Sequence, residues 1–151
     1  MASLSPLDQL KARREELLAE QIFDIPVPRW LNPTLQLQIK PVDHSTFRRI
    51  IGIQERAAKG PKQQVGESEL NANAAMVGAA LVKVLIGDGD ERAEVDWQDM
   101  IPSLGISETS SVTEVVRAIC LRDGDVLTLA STVLKLSGYS TESIDEAFAG
   151  E

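Results

Sequence analysis

A chain of 151 residues has the length of one domain and can bury roughly two-thirds of its unfolded surface. Its net charge of −8, from 23 acidic against 15 basic side chains, argues against nucleic acid as a partner, because phosphate binding rests on a net basic surface. Aromatic residues make up only 4%, so the core has to come from Leu, Ile, Val and Ala, which suits packed helices. No apolar run is long enough to cross a membrane, no basic-then-apolar leader opens the sequence, and one cysteine allows no internal disulfide, so a cytoplasmic protein is expected.

Ser5, Pro6 and Asp8 together mark a helix start: a capping hydroxyl, a proline at the first helical position and a carboxylate at the positive end of the dipole. This helix is expected to run to about Glu20 or Ile22. Its apolar positions, Leu7, Leu10, Leu17 and Leu18, are few among charged neighbours. Residues 1–22 therefore read as a charged helix or arm that orders on assembly, ahead of a helical domain over 23–151.

Residues 24–43, DIPVPRWLNPTLQLQIKPVD, break the helical texture. Prolines 26, 28, 33 and 41 exclude helix by fixing φ, lacking an N–H and disfavouring α at the preceding residue. Leu35, Leu37 and Ile39 alternate with Gln36, Gln38 and Lys40, the period of one half-buried strand over residues 34–40. A lone strand needs an edge, which a second copy or a partner protein would supply. Leu35, Leu37 and Ile39 are accordingly candidate partner-binding residues through strand addition. Trp30, between Pro28 and Pro33, either plugs the core or anchors a partner.

Asp43 or Ser45 caps a second helix bearing Phe47, Ile50, Ile51 and Gln54, which Gly60-Pro61 ends inside a flexible loop at 59–66. A third helix is expected over 67–86. Leu70, Ala74, Val77, Leu81 and Val84 form a narrow seam on it, flanked by Ala72, Ala75, Gly78, Ala79 and Ala80, which allow another helix to approach closely. Residues 87–96 form an acidic turn whose Asp88 and Asp90 lack the glycine and glutamate placement of a calcium loop. Residues 95–97 suit a short extended piece, with Trp97 as a core plug. Ser111 and Glu114 form a capping box for a fourth helix with Val112, Val115, Val116, Ile119 and Cys120 on its apolar face. Asp123-Gly124 separate it from a fifth helix to Leu136, with Leu127, Ala130, Val133 and Leu134 inward. Gly138 closes that helix, and Ser140 or Thr141 starts a last one carrying Ile144 and Phe148. The expected fold is thus mostly α: a single helical domain of about five to six helices with one short strand near 34–40.

No pattern of catalysis emerges. His44, the single histidine, stands at a helix start without a nucleophile motif, and Cys120 reads as a small buried hydrophobe. No phosphate loop, dinucleotide fingerprint or paired-cysteine motif occurs. No catalytic residue, cofactor or metal is expected.

The order of segments is more telling than any one of them. A variable helical start leads to IPVPRW, a short strand ending in Pro-Val-Asp, the helix-like ELNANAAMVGAALVKVLIG, an acidic turn, then VTEVVRAIC and VLTLASTVLKLSGYS. Over roughly residues 22–140 this layout resembles the tail assembly chaperones of long-tailed, siphovirus-type phages, similar in role to the lambda tail assembly protein G. The resemblance implies a helical, non-catalytic protein of the host cytoplasm, used in morphogenesis and absent from the finished virion. It would bind the tape measure protein and help recruit tail tube protein; a homo-oligomer is the separate expectation raised by the lone strand. A longer frameshifted form is common in that family. Two other classes fit the residues: a structural head–tail connector or tail completion protein, and a helix-turn-helix regulator around Arg122-Asp123-Gly124. The regulator is disfavoured because its recognition helix would carry Lys135 as its one basic residue.

Overall fold

The proline-rich segment does not wait for an external edge. In the computed structural model, which describes residues 5–58 and 62–139, with side chains given for 5–52 and 69–139, Phe23–Pro26 (β1) pairs antiparallel with Leu35–Ile39 (β2). Strand β2 pairs on its other side with Leu81–Ile86 (β3), which in turn pairs with Ala93–Val95 (β4), giving an antiparallel sheet in the order β1-β2-β3-β4. The mostly-α expectation is therefore overturned: the fold is α+β, a sheet of four strands with helices packed on one face.

The reason lies at residue 80. The expected third helix ends at Ala80 and the chain turns directly into β3. The seam of Leu70, Ala74 and Val77 is helical as read, but Leu81 and Val84 continue it as a strand. LVKVLI carries β-branched residues at Val82, Val84 and Ile86, and a short apolar run of that kind is ambiguous until partners are known. Here it has two, β2 along its length and β4 opposite Val84, Leu85 and Ile86, which take up its backbone groups. A register shift between Gln38 and Ile39 leaves Ile39 opposite Leu81, and Gly87 at φ +105° releases the chain from the sheet.

Helices are α1 (Pro6–Ala19), α2 (His44–Ala58), α3 (Lys62–Ala80), α4 (Ile101–Leu104), α5 (Val112–Ile119) and α6 (Asp123–Leu136). Their starts follow local chemistry. Ser5 Oγ accepts the Asp8 N–H at 3.1 Å, Asp43 Oδ1 accepts the Thr46 N–H at 2.7 Å, and the Ser111–Glu114 capping box closes reciprocally. The Thr46 N–H holds the Asp43 carboxyl below its usual range. Helix α3 starts at Lys62, so the latter part of the expected loop at 59–66 is helical; residues 59–61 and the expected last helix over Ile144 and Phe148 lie outside the described residues.

Leu35, Leu37, Ile39, Ile25 and Val84 line the inner face of the sheet against Ile51, Met76, Val77, Val116, Val126 and Val133. Leu127, expected inward, is exposed, and Val126 and Leu129 take the inner positions on α6. The opposite face carries Asp24, Gln36, Gln38, Lys83 and Glu94, and Arg92 reaches across it to Asp24 Oδ2 at 3.1 Å and Gln36 Oε1 at 3.3 Å. Phe47 stacks on Tyr139 with ring centroids 4.5 Å apart, and Ser137 Oγ accepts the Val42 N–H, tying the start of α2 to the end of α6. Helix α1 has no buried residue.

Candidate functional site

The four residues marked as partner-binding by sequence fall in two places. Leu35, Leu37 and Ile39 are 2%, 0% and 0% exposed and form the centre of the core. With β1 and β3 on either side, their strand offers no free edge. Trp30 is half-buried and its Nε1–H donates to the Ile119 carbonyl at 2.7 Å. Next to it, Arg29 Nε donates to Asp125 Oδ2 at 3.1 Å, with the carboxylate side chain 9% exposed. The loop between β1 and β2 thus clamps the α5–α6 junction. Arg29 and Asn32 adopt left-handed φ of 73° and 57° within it, conformations that L-residues adopt at some cost and that these tertiary bonds hold.

Among the described residues, a groove of about 650 Å³ runs over α3 between α2 and α5. Ala72, Ala75 and Ala79 form its floor, one face of α3 at helical spacing, and Ile50 and Val112 form its walls. Arg49, Asn71, Ser111 and Glu114 stand exposed at the rim, where Arg117 Nη1 donates to Asn71 Oδ1 at 2.8 Å. Below this groove α5 crosses α3 closely at Gly78, where a Cβ would lie 2.8 Å from Val112 Cγ1. The small-residue run on α3 is therefore used twice: Gly78 admits α5, and the alanines leave an apolar trough. The sequence signal for the trough was that same run, without any indication of which part of it stays uncovered.

A second hollow, of about 380 Å³, lies between Trp97, Ile101, Pro102 and the segment bearing Glu108 and Ser110. Trp97 is half-buried and packs against the core, but it also lines this hollow, which sequence reading missed. Ser110 is 6% exposed and its Oγ has no hydrogen-bond partner.

Candidate reactive groups are quiet. Cys120 is buried next to Asp125, and burial pushes its thiol up to about 12. His44 is exposed at the start of α2. Among the described residues no group of His, Cys, Asp or Glu side chains is placed to hold a metal ion, and no helix is long and apolar enough to cross a membrane. Set against family models, curated proteins and solved structures, the chain matches none.

Proposed function

We propose that this chain is a non-catalytic phage tail morphogenesis chaperone that binds the tape measure protein in the host cytoplasm and helps recruit tail tube subunits around it. The order of segments supports the reading at the level of resemblance. The observation that carries it physically is the apolar trough on α3. An alanine floor with aliphatic walls and a polar rim is the chemistry that takes up the apolar face of an amphipathic helix. A tape measure protein is long and helical, and unassembled helices of that kind need apolar cover. Several copies seated along one client would add weak contacts into avidity, and a net charge of −8 keeps the loaded client dispersed.

The test is co-expression with the tape measure protein of the encoding phage, followed by affinity capture and light scattering, beside an Ala75→Glu variant. Ala75 is only partly buried, so a carboxylate there blocks the trough while leaving the core intact. The expected result is a soluble complex with several copies of the wild-type chain and at least a tenfold loss of client capture by the variant, as for a charge buried in an apolar site. A client that is equally insoluble with and without this chain would overturn the proposal. Recovery of the chain from purified particles would move the structural connector ahead.

A further inference from the structure

We propose that helix α1 of one copy seats in the α3 trough of a second copy, and that two copies exchange these helices to form a closed dimer. The pairing rests on the trough as a receptor for an amphipathic helix and holds whatever client the trough takes.

Helix α1 is formed but unused. It has no buried residue, and Leu7, Leu10, Leu17 and Leu18 are between 43% and 77% exposed. At helical spacing these leucines share one side of the helix, with Arg14 among them and Asp8 and Glu15 along one edge. A leucine stripe left open to water marks a contact surface. Pairing of α1 with α1 of another copy is opposed by charge, because it brings the Arg14 cations of the two stripes together.

The trough supplies what the stripe lacks. Its alanine floor leaves room for longer side chains, and its rims differ in sign, with Arg49 on α2 and Glu114 on α5. A helix laid in it can point Glu15 toward Arg49, while Arg14 lays its stem along the alanine floor and carries its guanidinium out to Glu114. Among the described residues Arg14, Glu15 and Arg49 take part in no ion pair within one copy.

Reach decides which copy supplies the helix. The N–H groups of Glu20 and Gln21 bond to the Glu16 and Leu18 carbonyls, so Ile22 alone links α1 to Phe23 at the start of β1, a reach of about 7 Å. Ala75 and Ala79 project from α3 opposite Leu70 and Val77, which enter the core. The trough therefore opens on the side away from the sheet, beyond a helix about 10 Å thick. From β1 the helix cannot reach its own trough, but it is free to enter a neighbour's. One seated helix is a small contact; two exchanged about a two-fold axis double it and leave neither trough nor stripe open for further growth.

The experiment measures the mass of the full chain by sedimentation, without client, across micromolar concentrations. The wild type should be a dimer. Leu10→Lys, on a helix that buries nothing, and Ala75→Glu, in the trough, should each weaken association at least tenfold with an unchanged circular dichroism spectrum. Mixed in equal amounts, the two variants should dimerise again, because the pair holds one native seat and one in which the new lysine meets the new glutamate. Arg49→Glu should weaken the wild-type dimer, and Glu15→Arg in the same chain should recover it. A monomeric wild type, a dimer indifferent to Leu10→Lys or Ala75→Glu, or a mixture that stays monomeric would overturn the exchange. Client capture is read separately: a dimer built this way that captures no client overturns the chaperone reading alone, and capture by a monomeric wild type overturns the exchange alone.

Discussion

Cys120 shows how one residue's surroundings decide whether it can act. It caps the end of α5, its N–H bonded to the Val116 carbonyl, with the side chain buried and the Asp125 carboxylate nearby. Low polarity comes first and like charge second, and both hold the proton on sulfur, so the thiol is pushed from an ordinary 9.0 up to about 12. This is the opposite of what a nucleophile needs. The sign for stability follows. Below pH 9 the thiol is protonated in both folded and unfolded chains and contributes no pH dependence. Between pH 9 and 12 the unfolded thiol ionises while the folded one does not, so stability falls as pH rises. Tyr139, raised chiefly by burial, acts in the same direction at alkaline pH, so the Cys120 contribution has to be isolated by comparison. Urea unfolding of wild type and Cys120→Ala at pH 8, 9.5 and 10.5 should give curves that converge as pH rises, the wild type losing up to about 1.4 kcal/mol more per pH unit. Parallel curves would show that the thiol titrates alike in both states.

At the scale of elements, the α3–α5 crossing sets the shape of the apolar trough. Gly78 stands in the last turn of α3, where a glycine still costs up to about 1 kcal/mol relative to alanine on propensity alone. Its place is explained by Val112 Cγ1, 2.8 Å from where a Cβ would sit. Valine is stiff at χ1 and Val112 begins α5, so relief requires α5 to move outward. Gly78→Ala should therefore destabilise by about 1 kcal/mol despite its better propensity, as overpacking outweighs it. In a Val112→Ala background the same change should become stabilising, and a double-mutant cycle by denaturant unfolding reads the reversal directly. Elements of this kind were legible where their signals are local. Ser5, Asp43 and Ser111 cap the helices they were expected to cap, because capping involves neighbours within one turn. Strand β3 was not legible, because LVKVLI follows an alanine-rich helix with no glycine or proline between them, and what makes it a strand is pairing with β2, some forty residues earlier. Strand β1, four residues ending in Pro26, is an edge strand of minimal length and carries almost no period to read. Helix α1 is the converse case: locally well signalled, yet Leu7, Leu10, Leu17 and Leu18 all remain exposed.

For the whole molecule, the position of β2 changes what a substitution there must do. An unpaired strand would make Leu37 a contact residue, and Leu37→Asp would then impair association while sparing the helices. In the folded chain Leu37 is opposite Ile25 on one side and Val84 on the other, fully buried where the sheet meets α3, α5 and α6. A carboxylate at that point has no partner to ionise against, and the leucine contacts are lost as well. The cost should exceed about 4 kcal/mol, a large fraction of the stability of a domain of this size. Because the sheet and the helical layer share one core, the loss cannot be confined to the strands. Far-ultraviolet circular dichroism and near-ultraviolet signals from Trp30 and Trp97 should collapse together in Leu37→Asp, with client capture lost as a consequence. A variant that kept its helical signal and its tryptophan environment yet failed to associate would mean that β2 is displayed rather than buried. Ala75→Glu in the trough should behave oppositely, losing capture of the proposed client with both spectra unchanged. The pair of variants separates the residues that make this molecule from those through which it would act.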